Sequence, residues 1–124
     1  MNVWKGNDAR LIATPQEVQL VTTRKDGSRR RPTTIWVVAD GDRVFIRSTN
    51  GRSAAWFRGA IATGTGQVIA GGTAHDVQFA ETTDEADLLA VDAAYRDKYG
   101  SYRSIVDHLL QPGPRAATLQ IHPA

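Results

Sequence analysis

Two Asp-Gly pairs, at residues 26–27 and 40–41, cut the first half of the chain into strand-length pieces. Such pairs favour tight hairpins, because glycine accepts a positive φ without steric cost. Between them stand Ile35, Trp36, Val37 and Val38, bulky and consecutive. A strand of that make-up needs cover on both faces, as it has in a closed or tightly packed barrel. Alternation and turn residues predict strands over 17–22, 31–39, 44–48, 67–70, 73–82 and 116–122. Helices are expected over 7–13, 54–62, 84–99 and 104–110. The third carries Leu88, Val91, Tyr95 and Tyr99 on one stripe, with Asp84 as N-cap and Gly100 as its stop. Residues 111–114, Gln-Pro-Gly-Pro, read as a loop. The fold class is mainly β, or α+β, with antiparallel strands and flanking helices rather than a βαβ array.

Residues 1–124 fit one domain, and 41% hydrophobic residues suffice for one core. No apolar run approaches the roughly 20 residues of a membrane helix, and residues 1–10 hold no apolar stretch typical of a secretory leader. Cysteine is absent, which excludes disulfides and thiolate metal sites and fits a cytoplasmic protein. His75, His108 and His122 are too scattered to read as a metal set, so no metal is expected. Net charge is only +2, yet Arg24, Lys25, Arg29, Arg30 and Arg31 crowd one segment while Asp84, Glu85, Asp87 and Asp92 crowd another. That asymmetry can steer an anion to one side of the molecule.

The richest candidate site is the loop Ser48-Thr49-Asn50-Gly51-Arg52-Ser53. It lies where a strand meets a helix. Partnerless backbone N–H groups, the helix dipole and the flanking Arg47 and Arg52 suit an anion such as a phosphate. A solvated loop with Ser53 as N-cap explains the same residues. The basic segment 24–31 could hold an anionic cofactor tail, or simply keep a sheet edge soluble. Nucleic acid is the least favoured reading, because no aromatic residue is interleaved for stacking. Gly64-x-Gly66 lacks the third glycine of a dinucleotide fingerprint, and no nucleophile motif is present. Catalytic residues are therefore unassigned, and a cofactor would carry any chemistry. Trp36 and Trp56 suit core or interface packing, or the walls of a flat ring.

Five segments together resemble the flavin- and deazaflavin-binding split-barrel superfamily, and within it a small domain-of-unknown-function family. They are VTTRKDGSRRRPTTIWVV (21–38), DGDRVFIRS (40–48), GRSAAWFRGA (51–60), GGTAHDVQF (71–79) and AAYRDKYG (93–100). The chain is similar to deazaflavin-dependent nitroreductases and to pyridoxamine-phosphate-oxidase-like proteins. The resemblance implies a six-stranded antiparallel split β-barrel, a homodimer, and a deazaflavin or FMN near the subunit interface. It further implies that Arg24, Lys25 and Arg31 contact phosphate or an acidic tail. Ser48, Thr49, Gly51, Arg52 and Ser53 would cradle phosphate, Thr34, Ile35 and Trp36 would lie near the ring, and Trp56 would belong to the cofactor site as the end of the segment that starts at Ser48. Where the oxidase branch has a lysine after its loop serine, this chain has Ala54, Ala55 and Trp56. The expected function is an oxidoreductase passing a hydride to a small organic acceptor. The alternative is a non-catalytic barrel that binds a small ligand without flavin.

Overall fold

Short strands with period-two burial build the molecule. The computed structural model describes residues 3–124; the first two residues of the stretch read for a leader lie outside it. In chain order the elements are α1 (Asp8–Ala13), β1 (Glu17–Thr22), β2 (Thr33–Trp36), β3 (Val38–Asp40) and β4 (Arg43–Arg47). A 3-10 turn (Gly51–Ser53) follows, then α2 (Ala55–Thr63), β5 (Thr65–Ala70), β6 (Thr73–Glu81), α3 (Glu85–Tyr99), α4 (Arg103–Leu109), α5 (Pro112–Arg115) and β7 (Thr118–Pro123). The seven strands form one sheet in the order β2-β1-β5-β6-β7-β4-β3, every pairing antiparallel. Because β2 and β3 are adjacent in the chain, the two edges of this sheet meet and the barrel nearly closes.

The count differs from the expected six because the stretch 31–39 is two strands. Its break falls at Val37, where helix α3 takes over the backbone hydrogen bonds. The Val37 N–H donates to the Tyr99 hydroxyl at 3.2 Å, and Lys98 Nζ donates to the Val37 carbonyl at 2.6 Å. A fully buried strand interruption thus keeps its polar groups satisfied. Across the break the side chains still alternate. Ile35 and Val37 point into the barrel, while Trp36 and Val38 pack outside against α3 and α4. Both faces are covered, as the run of bulky residues requires.

The barrel interior is filled in pairs along each strand: Val18 and Leu20, Val44 and Ile46, Val68 and Ala70, Val77 and Phe79, Leu119 and Ile121. Ala9 and Ile12 of α1 and Phe57 and Ala60 of α2 join the same core. A second core lies between the outer wall and α3 and α4. It joins Val38 and Phe45 to Val91, Tyr95, Tyr99, Val106 and Leu109. Fully burying each such side chain stabilises by roughly 1.5–3 kcal/mol before entropy is counted. The α3 stripe is as expected, with one addition: Asp92 is also buried on it. Asp84 and Gly100 do flank this helix, though Asp84 makes no side-chain capping bond. The expected loop at 111–114 is instead the start of α5, whose Pro112 supplies a first helical position that needs no N–H partner.

Candidate functional site

The seam between β2 and β4 opens a cavity. These strands approach without pairing: β2 bonds only to β1, and β4 bonds to β3 and β7. One edge of β2 therefore keeps free backbone groups beside the gap. The cavity measures about 520 Å³. Its wall comprises Thr33, Thr34, Ile35 and Trp36 of β2, Arg47, Thr49 and Asn50 at the end of β4, and Ala54, Ala55 and Trp56 at the start of α2; Ile105, Leu109 and Glu17 complete it. A second, more open groove of about 530 Å³ shares Thr49, Asn50 and Ala54 with it and adds Gly51, Ser53, His108, Gly113 and Pro114.

Packing fixes the aromatic wall. Trp36 stacks on Tyr99 with ring centroids 3.9 Å apart and planes within 1°, and Tyr102 leans against it at 5.5 Å. Tyr99 is anchored in turn by donating to the Gln16 carbonyl, and burial pushes its phenol up to about 12. Trp56 meets Phe57 edge-on at 5.9 Å. Two half-buried indoles thus offer rigid apolar surface to the cavity.

Arg47 borders the cavity as a residue. Its side chain has no exposure. Nε donates to Thr118 Oγ1 at 2.8 Å, and Nη1 donates to Asp92 Oδ1 at 2.7 Å and to the Leu109 carbonyl at 3.1 Å. The guanidinium lies 5.5 Å from the centroid of the Tyr95 ring. Burial raises the Tyr95 phenol far above its ordinary value, so it carries no charge here. Among the described residues, Arg47 Nη2, Ser48 Oγ and Tyr95 Oη are buried without a hydrogen-bond partner. Such atoms are costly unless a ligand or water meets them. Helix α2 starts after Ala54 with no side-chain cap, so its first N–H groups lack intrahelical partners. Ser53 does not cap α2: its hydroxyl donates to the Asn50 carbonyl at 3.1 Å.

Of the residues expected near a ligand, Thr34, Ile35, Trp36, Thr49 and Trp56 line the seam cavity, and Gly51 and Ser53 line the adjoining groove. Ser48 lies buried beside them. Gly51 adopts φ +68° and brings the loop against α5, where a Cβ would stand 3.3 Å from the Gly113 carbonyl oxygen. Arg52 is directed elsewhere. It pairs with Glu81 at 2.5 Å, donates to the Ala116 carbonyl at 3.0 Å and covers the Phe57 ring. The basic hairpin also lies apart from the cavity lining. Arg24 Nη1 donates to the Arg29 carbonyl at 2.9 Å, while Lys25 and Arg31 are exposed. At its tip Ser28 donates to Asp26 and holds that carboxyl below its usual value. Sequence reading placed Arg47 only beside the loop. The missed signal is its position: an arginine ending a strand of Val44, Phe45 and Ile46, opposite an acid on an apolar helical stripe.

Residues 8–121 match a family described as an uncharacterized protein conserved in bacteria (DUF2255). The chain belongs to that family. No curated protein is similar to it at a significant level. Its fold is shared with solved split-barrel structures. One is an F420-H2 dependent reductase (FDR-A), at TM-score 0.64 and 17% identity, covering 86% of this chain and 94% of that one. Another is the heme storage protein HutZ from Vibrio cholerae, at TM-score 0.72 and 14% identity, covering 100% and 92%. A third is an F420 reductase, at TM-score 0.52 and 19% identity, covering 98% and 96%. At these identities the likeness is one of fold, which does not fix function. Among the described residues no helix is long and apolar enough to cross a membrane.

Proposed function

We propose that this chain is a split-barrel reductase that holds a deazaflavin or FMN in the seam cavity and serves hydride transfer to a small organic acceptor. The observation that carries the reading is a cavity of about 520 Å³ at the barrel seam, walled by Trp36 and Trp56. A flat heteroaromatic ring with polar edges fits that wall. The fold neighbours that are an F420-H2 dependent reductase and an F420 reductase support the same reading. When bound, the cofactor supplies the hydride. The chain supplies the rest. Trp36, clamped by Tyr99, and Trp56 exclude water from the ring. The free edge of β2 offers backbone donors and acceptors, and Arg47 with the uncapped α2 terminus offers positive potential. The cavity is open beside Tyr102 and Ile105, each 43% exposed, and a second copy of the chain covers this side in the proposed homodimer.

The test is a parallel titration with FMN, deazaflavin and heme, read by fluorescence quenching and anisotropy. Saturable micromolar binding of FMN or deazaflavin, weakened at least about tenfold in Trp56→Ala by loss of the aromatic wall, is the expected result. Arg52→Ala leaves it nearly unchanged, because that guanidinium is already engaged by Glu81. Binding of heme alone, or of none of the three, overturns the reading.

A further inference from the structure

We infer that Trp36 and Tyr102 form a one-electron relay between the seam cavity and the surface of the molecule. The inference rests on the seam cavity being a ligand site, because that ligand is the relay's inner redox partner. Trp36 lines the cavity. Its indole meets two tyrosines, with ring centroids 3.9 Å from Tyr99 and 5.5 Å from Tyr102. Tyr99 meets Tyr95 in turn at 6.0 Å. The chain has three tyrosines, so two branches leave Trp36. One runs inward through Tyr99 to Tyr95, and the other runs outward to Tyr102.

A tyrosine that loses an electron must also lose its phenolic proton, and a cation beside the ring opposes the positive charge that forms there. Both conditions close the inner branch. The Lys98 ammonium lies 4.9 Å from the centroid of the Tyr99 ring, and the Arg47 guanidinium lies 5.5 Å from that of Tyr95. Tyr99 donates its proton to the Gln16 carbonyl, which is not a base, and the buried Tyr95 Oη has no partner among the described residues. Burial holds the proton on both phenols, pushing that of Tyr99 up to about 12. The outer branch meets neither obstacle. Tyr102 is 43% exposed, and its hydroxyl accepts from Gln16 Nε2 at 3.3 Å in the exposed loop before β1. That end of the ring reaches water at the rim of the face that the proposed homodimer covers. A heteroaromatic one-electron acceptor in the cavity takes an electron from Trp36. Tyr102 returns one electron to the Trp36 radical cation and gives its phenolic proton to water. The acceptor is reduced by one electron, and Tyr102 is left as a neutral radical. A thiol or enediol in solution restores it by giving one electron and one proton.

Pulse radiolysis of the full chain with azide radicals is the test. These radicals take one electron from tryptophan in preference to tyrosine, and they need no cofactor. Trp4→Phe and Trp56→Phe leave Trp36 as the one tryptophan of the parent protein. The tryptophanyl absorption is expected to decay in a first-order step, independent of protein concentration, while the tyrosyl absorption rises with the same rate. Adding Tyr102→Phe should abolish that rise and leave the tryptophanyl radical long-lived. Its ring stays in place and the lost hydroxyl is exposed, so the fold is kept. Adding Tyr95→Phe and Tyr99→Phe instead should leave the tyrosyl yield unchanged. If that second variant does not fold, the comparison with Tyr102→Phe decides alone. A tyrosyl rise that survives Tyr102→Phe, or no coupled rise in the parent protein, overturns the relay. Failure here leaves the FMN and deazaflavin reading standing, and failure of that reading does not alter the radical transfer.

Discussion

Lys98 directs its ammonium at three backbone carbonyls, those of Ala13, Pro15 and Val37, at 2.6–2.7 Å. It ties the end of α1, the entry to β1 and the break between β2 and β3 to one atom. Burial lowers its pKa to about 8, and burial raises that of its neighbour Tyr99 to about 12. The two shifts act in opposite directions on stability. Between about pH 8 and the unfolded value of 10.5, the unfolded chain holds a proton on Lys98 that the folded chain has released. Stability therefore rises with pH across that window. For Tyr99 the folded chain keeps the proton longer, so its contribution is complete below 10 and is lost as pH rises to about 12. The expected outcome is a stability maximum near pH 10 in denaturant titrations, measured relative to a Lys98→Met/Tyr99→Phe control. A flat difference between the two proteins from pH 8 to 12 would refute it. At this scale the sequence was least legible. Asp92 sits three residues before Tyr95 and four after Leu88, so the apolar stripe itself marked it as buried, yet by charge it reads as surface. Its partner Arg47 lies far away along the chain, and a carboxylate on a core face reveals that it has a partner without revealing which one.

Elements were more legible, because each depends on local period and punctuation. The α3 stripe, the two Asp-Gly turns and the alternation of β1 all come from neighbouring residues. The break at Val37 does not. It exists because Tyr99 and Lys98 replace ladder bonds from across the fold, and 31–39 contains no proline or glycine at that point to announce it. Two glycines, one in a strand and one in a helix, show the same contrast. At Gly66 in β5 an added Cβ would stand 2.4 Å from the Val21 carbonyl oxygen and 3.0 Å from the Phe79 ring. Backbone there cannot yield, since β5 pairs with β1 through Thr22 and Gly66. At Gly59 in α2 the nearest atoms are side-chain ones: Arg30 Nη1 at 2.5 Å, the end of a long side chain whose bond to the Thr23 carbonyl is a weak 3.4 Å, and Thr22 Oγ1 at 3.0 Å. Gly66→Ala is therefore expected to destabilise by about 1–3 kcal/mol, the usual cost of overpacking a core. Gly59→Ala should be close to neutral, because the helix gain of about 1 kcal/mol offsets the displacement of the Arg30 side chain. Urea melts of the two variants measure the difference, and equal losses would refute this account.

For the whole molecule, the barrel was legible as a class because a chain with short antiparallel strands and one covered run has few ways to close. Its seam was not, since which edges fail to pair is decided by the sum of all registers. That seam sets what the molecule can do as an assembly. The cavity opens between elements that cannot cover it themselves, and Tyr102 and Ile105 remain exposed beside half-buried Trp36 and Trp56. In the proposed homodimer these groups leave water only on association, so unfolding is coupled to dissociation and depends on protomer concentration. With an unfolding enthalpy of roughly 0.7 kcal/mol per residue over both chains, a hundredfold rise in concentration should raise the Tm by about 5 °C. Ile105→Glu places a charge at the covered face while leaving both cores intact, so it should abolish the dependence with little change in the dilute limit. A calorimetric series from micromolar to hundreds of micromolar, with sedimentation equilibrium on the same samples, decides the matter. A wild-type Tm that stays constant across the series means that one copy of the chain suffices. In that case the open side of the seam is an entrance for ligand rather than a subunit contact.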